Sequence, residues 1–217
     1  MNKVAFLSTA LLAMALAPLA GAECNCLWQG SFDQVQGETD LVVSATVLST
    51  RGNSIDLQVD QALRGGRDDE EVRVWLKTGD YCRPEAELFP VGSQWVMALY
   101  EITEEVPGGF NPGTPNISYG RIGDYQLSVC GGYWLNRTGD WVTGNLVDAP
   151  RWSREVEMTP VMLDLVAAFV RGEVESQALL AASQEDPALR DLMLDTRSFL
   201  RYGPEEPETD SPDPDSD

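Results

Sequence analysis

The sequence contains no histidine and few basic residues: 15 lysines and arginines stand against 35 aspartates and glutamates, for a formal net charge of −20. Without histidine the chain cannot assemble a Ser-His-Asp or Cys-His catalytic group, and we expect it not to be an enzyme. An acidic surface repels phosphate groups, so we exclude nucleic acids as partners. Cationic proteins and metal ions remain as candidate partners, and adaptation to salty water would explain the charge without any function.

Long hydrophobic runs are also scarce, and the one that stands out lies at the N-terminus. Lys3 precedes an apolar or small stretch at 4–16, which is too short to span a bilayer, and Ala-Gly-Ala at 20–22 forms an A-x-A cleavage site. We therefore predict a signal peptide at 1–22 and a mature chain that begins at Glu23. Because Glu23 directly precedes Cys24, lipidation of that cysteine is disfavoured. The product is expected to be secreted or periplasmic, with no membrane span after signal removal.

Cysteine is limited to Cys24, Cys26, Cys82 and Cys130. In an oxidising compartment an even number of cysteines implies disulfides. A bond between Cys24 and Cys26 would close a very tight ring, which leaves two long-range pairings: Cys24–Cys82 with Cys26–Cys130, or the crossed version. Either pairing attaches the N-terminus to two distant places. A zinc site is the weaker alternative because only two of the cysteines are close in sequence and histidine is missing, so we expect no metal and no cofactor.

Hydrophobic alternation predicts a series of strands. A β-branched run begins after Asp40, and apolar residues alternate with polar ones at Ile55, Leu57 and Val59. A later apolar run at 95–100 predicts a strand that is buried on both faces. The predicted strands are 41–48, 55–59, 72–76, 95–100 and 125–129, followed by a short hairpin at 141–147.

From Thr159 onward the hydrophobic period changes to that of a helix. Thr159 is the predicted N-cap and Pro160 the first helical residue, a second helix is expected near Ser176, and a third is expected from 186 to Gly203. The remainder, 204–217, contains only proline, serine, threonine and acidic residues and is predicted to be disordered. The predicted domains are a signal peptide at 1–22, a barrel at 23–150, a helical extension at 151–203 and an acidic tail at 204–217.

About five antiparallel strands followed by helices predict a mainly β fold. A five-stranded OB-type Greek-key barrel with a C-terminal α-helical extension fits that count, and a β-sandwich is the main structural alternative. Four of the tryptophans could form an aromatic platform for a ligand, although tryptophans in a barrel core or beneath helices are commoner. These tryptophans are Trp75, Trp134, Trp141 and Trp152.

The order of the cysteines and strands resembles a known family. Cys24-Asn25-Cys26 precedes the first strand, Cys82 follows the third, the stretch GSQWVMA at 92–98 forms the fourth, and Cys130 follows the next. Over residues 24–135 this arrangement resembles the netrin-like module and, within it, the N-terminal domain of the tissue inhibitors of metalloproteinases. The resemblance implies an OB-type barrel, with the first cysteine paired to Cys82 and the second to Cys130.

The resemblance also implies a function for the N-terminus. In the family's inhibitors, the first mature cysteine chelates the catalytic zinc of the target through its free α-amine and carbonyl oxygen, and the next side chain enters the specificity pocket. Those roles would fall on Cys24 and Asn25, and the implied partner is a secreted zinc metalloprotease. In this sequence Glu23 stands before Cys24, and Asn25 replaces the usual small hydroxyl residue. The alternative is an adhesion or assembly module that binds another envelope protein through the barrel face or the loop at 104–116.

Overall fold

We describe a computed structural model over residues 24–66, 70–79, 81–106, 118–149, 158–184 and Thr196. The predicted signal peptide and acidic tail lie outside these residues, as do the predicted third helix, except for Thr196, and most of the loop at 104–116. Two short 3₁₀ turns, at Gln36–Glu38 and Ala86–Leu88, accompany the regular elements. The strands are β1 (Leu41–Arg51), β2 (Ser54–Arg64), β3 (Glu71–Trp75), β4 (Gln94–Glu101), β5 (Tyr125–Gln126), β6 (Trp134–Thr138), β7 (Trp141–Gly144) and β8 (Val161–Met162), and the helices are α1 (Phe32–Val35), α2 (Leu163–Val170) and α3 (Ser176–Ser183).

The first five strands close into a barrel. β1 pairs with β2, β2 with β3, β3 with β5 and β5 with β4, and β4 returns to β1. The β3–β5 pairing is parallel, and the other four are antiparallel. The predicted five-stranded OB-type barrel is therefore confirmed over the alternative sandwich.

The long β1–β2 hairpin makes closure possible. The pairing of β1 with β2 contains three register shifts, two with the extra residue on β2 and one with it on β1. Such bulges bend strands and increase their twist. In the bent hairpin, β1 pairs with β2 on one side and with β4 on the other. Gly52, with a φ of 60°, forms the turn between the two strands, a conformation that glycine adopts without steric cost.

The fifth strand is shorter than predicted. The sequence predicted a strand at 125–129, but only Tyr125 and Gln126 pair with neighbouring strands. After them the chain leaves the sheet, and the Val129 amide donates to the Cys82 carbonyl at 3.1 Å. This path brings Cys130 to Cys26. The disulfide therefore determines the path of residues 127–129, against their propensity to continue the strand.

The first predicted helix begins later than expected. Thr159 and Pro160 do not start it, because Val161 and Met162 pair with β7 as strand β8, and α2 begins at Leu163. The Thr159 hydroxyl instead donates to the Gln184 carbonyl at 2.7 Å, beyond the end of α3. The second helix begins at Ser176 as predicted.

The helices share one hydrophobic core with the barrel. The middle of β4 is buried on both faces, as predicted, with Val96, Met97, Ala98 and Leu99 fully inaccessible. The apolar sides of α2 and α3 join the same cluster of buried side chains. The helical members of that cluster are Leu163, Val166, Ala167, Val170 and Leu179.

One carboxylate is buried in the barrel wall. Asp56 on β2 is only 2% exposed and accepts hydrogen bonds from the Arg73 guanidinium and the Ser49 hydroxyl, both at 2.7 Å. Arg51 Nε lies 3.1 Å from Oδ2, the oxygen that accepts from Ser49, whereas Arg73 bonds Oδ1. Burial raises the pKa of Asp56, but the hydrogen bonds from Arg73 and Ser49 outweigh it and leave the pKa below its ordinary value.

Candidate functional site

Two disulfides hold the N-terminal segment against the barrel. Cys24 is bonded to Cys82, 58 residues away, and Cys26 to Cys130, 104 residues away. This is the pairing that the family resemblance implied, and the crossed version is not formed. All four sulfur atoms lie within 4.8 Å of one another, and the Cys24 and Cys26 sulfurs are 3.7 Å apart. The two bridges therefore sit side by side.

Backbone hydrogen bonds fix the residues that follow the disulfides. The Gln29 amide donates to the Cys130 carbonyl at 2.7 Å, and the Gly30 carbonyl accepts from the Gly132 amide at 2.9 Å. A Cβ at Gly132 would lie 2.8 Å from the Phe32 nitrogen, so only glycine permits this close approach. Two disulfides and two backbone hydrogen bonds thus hold residues 24–30 against the rest of the fold.

Exposed side chains mark the outer surface of this segment, residues 24–27, which we call the N-terminal ridge. Asn25 is exposed between the two half-buried cysteines, and 84% of the Leu27 surface is accessible. Tyr81, next to Cys82 in sequence, is 37% exposed, and its ring centroid lies 5.3 Å from that of Tyr119. The structure thus presents Asn25 on a fixed, protruding backbone.

A half-open cavity of about 180 Å³, with both polar and apolar lining, lies beside the Cys24–Cys82 bridge. Arg83 lines it and is only 5% exposed. Its Nη1 donates to the Tyr119 carbonyl at 2.6 Å and its Nη2 to Gln126 Oε1 at 2.7 Å, while its buried Nε has no partner among the described residues. The residues that line the cavity are Tyr81, Cys82, Arg83, Tyr100, Gln126, Leu127 and Ser128.

Burial alters the proton affinity of two groups in this region. Desolvation lowers the pKa of Arg83 to about 10, against a smaller opposing contribution from Tyr81. Desolvation also raises the pKa of Tyr133 well above its ordinary value, and the hydrogen bond with the Tyr100 hydroxyl at 3.0 Å adds to this effect. The Tyr133 hydroxyl therefore stays protonated and donates to Gln29 Oε1 at 2.8 Å.

Sequence reasoning did not identify Arg83 as part of a site. An arginine between Cys82 and Pro84, in a loop, has the pattern of a solvated side chain. Its two acceptors lie 36 and 43 residues further along the chain. The one feature that could have drawn attention to Arg83 was its positive charge next to a cysteine in a chain of net charge −20.

The four cysteines are the one group of metal-ligating side chains that the described residues place close enough to share an ion. All four sulfurs are consumed in disulfides. A disulfide sulfur is not a thiolate, the form that binds metals, so this cluster stabilises the fold in its oxidised state.

The tryptophan platform considered as the less common alternative is not assembled by the described residues. Trp75 is buried, and its Nε1 donates to Asp124 Oδ2 at 2.7 Å. Trp134 is half-buried and packs against Phe89 with ring centroids 5.8 Å apart. Trp141 is 51% exposed on β7, and Trp152 lies outside the described ranges.

Comparison of the chain with protein-family models, curated proteins and solved structures gives no match. Among the helices that the structure describes, none combines the length and the apolar character needed to cross a membrane. Interpretation of the site therefore depends on its own geometry.

Proposed function

We propose that this protein is an exported, disulfide-stapled binding module whose N-terminal ridge inhibits a zinc metalloprotease in the manner of the tissue inhibitors of metalloproteinases. The observation that carries the proposal is the exposed Asn25, held between two cysteines whose sulfurs are 3.7 Å apart. Two disulfides are also typical of proteins that function in an oxidising compartment, which supports export.

The chemistry of the ridge suits zinc coordination when Cys24 is the first residue. A neutral α-amine and the adjacent carbonyl oxygen can occupy the position that a catalytic zinc leaves open for water. The ridge is already fixed by two disulfides, so little conformational entropy is lost when it binds. Asn25 would then enter the specificity pocket of the protease as an uncharged polar side chain.

The state of the Cys24 amine provides the test. We expect protein that starts at Cys24 to inhibit a responsive member of a panel of secreted zinc metalloproteases. The matched protein that starts at Glu23 should be at least tenfold weaker on the same protease, a difference of about 1.4 kcal/mol. In the second protein the chelating nitrogen is part of a peptide bond. Inhibition should also strengthen as the pH rises through about 8, where an α-amine loses its proton.

Two controls complete this experiment. N-terminal sequencing and intact mass, with and without reductant, establish the first residue and both disulfides in each preparation. Equal inhibition by the two proteins would refute zinc chelation through the amine. A lack of inhibition by both across the panel would refute the proposed inhibitory function.

A second candidate is a non-inhibitory module that binds another envelope protein. The observation that favours it is Glu23, which stands before Cys24 at the predicted cleavage site and would block the amine. A partner captured by crosslinking would support this candidate if capture persists after both cysteine pairs are replaced in a variant that still folds. Loss of capture in that folded variant would assign binding to the ridge.

A further inference from the structure

Arg83 is the most deeply buried arginine among the described residues. Arg73 is paired with Asp56 and Arg137 with Asp60. Arg83, like the half-buried Arg64, instead donates to uncharged oxygens, and no carboxylate lies within ion-pair distance of Arg83 among the described residues. Buried charges are normally paired, because removal of an ion from water is costly. The guanidinium carbon of Arg83 lies 4.7 Å from the centroid of the Tyr81 ring, a cation–π contact that supplies no counter-ion. In a chain with 35 acidic residues, a buried cation without a carboxylate partner is unexpected.

The cavity beside Arg83 has walls suited to an anion. None of the described residues that line it is acidic. The Ser128 oxygen accepts a hydrogen bond from the Cys130 amide at 3.1 Å, which leaves the hydroxyl hydrogen available to donate. Tyr81 also lines the cavity. The Tyr100 hydroxyl hydrogen is donated to the Tyr133 oxygen, because Tyr133 donates its own hydrogen to Gln29.

We propose that this cavity is an anion site that takes a carboxylate, which supplies the counter-ion that Arg83 lacks. Its volume of about 180 Å³ corresponds to about six waters at their liquid volume of about 30 Å³ each, enough for a group of acetate size. A planar carboxylate matches the guanidinium fork. A monoanion is also repelled less by the acidic surface than a phosphate dianion is.

The carboxylate can come from two sources that share this chemistry. It can belong to a free small organic acid or to an aspartate or glutamate of a bound protein. The cavity adjoins Cys82, the partner of Cys24, so an acidic residue of a partner docked on the N-terminal ridge would reach it. The inference does not depend on metalloprotease inhibition, because acetate binding is measured without a protease.

The test is a titration of the full mature protein with sodium acetate, followed by ¹⁵N NMR and compared with sodium chloride at equal ionic strength. We expect saturable shifts at the Arg83 Nε–H and at the Gln126 and Ser128 amides, with a millimolar dissociation constant for acetate. Shifts that do not saturate, or that chloride reproduces, would overturn the proposal.

A conservative variant removes the site without deleting the buried arginine. Gln126→Glu places a carboxylate at the position that lies 2.7 Å from Arg83 Nη2, so it supplies an internal counter-ion of nearly the same shape. We expect acetate affinity to fall at least tenfold while the rest of the spectrum stays that of the folded protein. Undiminished affinity in the folded variant would contradict the assignment to Arg83.

Lys77→Gln is the matched control. Lys77 is an exposed cation paired with Glu85 at 2.5 Å, close in sequence to Arg83 but outside the lining of the cavity. Its removal should change acetate affinity less than twofold. A loss as large as that of Gln126→Glu would show that acetate responds only to the overall charge of the protein and would contradict a specific site.

A titration with N-acetylglutamate amide distinguishes the two sources of the carboxylate. Affinity at least tenfold above that of acetate indicates a side chain of a bound protein, and equal affinity indicates a free small acid.

Discussion

Replacement of Cys26 and Cys130 together by serine should lower the free energy of unfolding by about 4 kcal/mol. The bridge closes a loop between residues 104 positions apart, and its loss enlarges the ensemble of the unfolded chain. Loss of the bridge also removes the covalent support for the hydrogen bond between the Gln29 amide and the Cys130 carbonyl. Urea denaturation of the variant, with the Cys24–Cys82 bridge intact, measures the loss as a lower transition midpoint.

The companion variant replaces Cys24 and Cys82 together. Its loop spans 58 residues, so the expected loss is similar and slightly smaller, because closure entropy grows only with the logarithm of loop length. Single replacements are unsuitable controls, since the freed thiol would lie within 4.8 Å of the remaining sulfurs and could attack the other bridge. A loss below about 1 kcal/mol in both paired variants would contradict a stabilising role for the bridges.

Replacement of Asp56 by alanine should cost about 3 kcal/mol of stability. The carboxylate is 2% exposed, and its removal leaves the Arg73 guanidinium and the Ser49 hydroxyl without their acceptor. We place the cost at the lower end of the range for broken buried pairs because the Arg73 side chain is 25% exposed. Glu85→Ala is the control: its side chain is 55% exposed and that of its partner Lys77 is 45% exposed, so a loss of about 1 kcal/mol or less is expected.

Acid should abolish the difference between the wild type and Asp56→Ala. The folded-state pKa of Asp56 lies below its ordinary value, so its stabilising contribution is fully present above the unfolded value of about 3.9. That contribution is lost as the pH falls through the lower folded value. Denaturation curves between pH 7 and pH 2 should therefore converge. A constant difference over that range would show that Asp56 stabilises the fold by packing alone.

Local patterns were sufficient to predict most of the barrel. The alternation at Ile55, Leu57 and Val59 and the apolar run at 95–100 arise from neighbours in sequence, and both became strands. The hairpin predicted at 141–147 is formed instead by β6 and β7. Two other errors have long-range causes. Residues 127–129 leave the sheet because Cys130 must reach Cys26, and Val161 joins β7 instead of starting a helix.

The candidate site was predictable only in part. Cysteines near an exported N-terminus indicate disulfides, but sequence spacing allows both long-range pairings, and only the family resemblance separated them. Arg83 could not be identified as part of a site. Its burial results from the Tyr119 carbonyl and the Gln126 side chain, which meet it only after the barrel has closed.

The parallel junction between β3 and β5, which closes the barrel, is short. Only Val74 with Tyr125 and Trp75 with Gln126 join these strands, whereas nine residue pairs join β1 to β2. Two side-chain bonds reinforce this short junction, from Trp75 to Asp124 and from Arg83 to Gln126. We expect the barrel to open first at this junction, so that the backbone amides of β5 exchange with deuterium faster than those at the centre of the β1–β2 hairpin. An anion bound by Arg83 would then slow the exchange of the β5 amides. Occupancy of the cavity would thus reduce local opening of the barrel at the junction between β3 and β5.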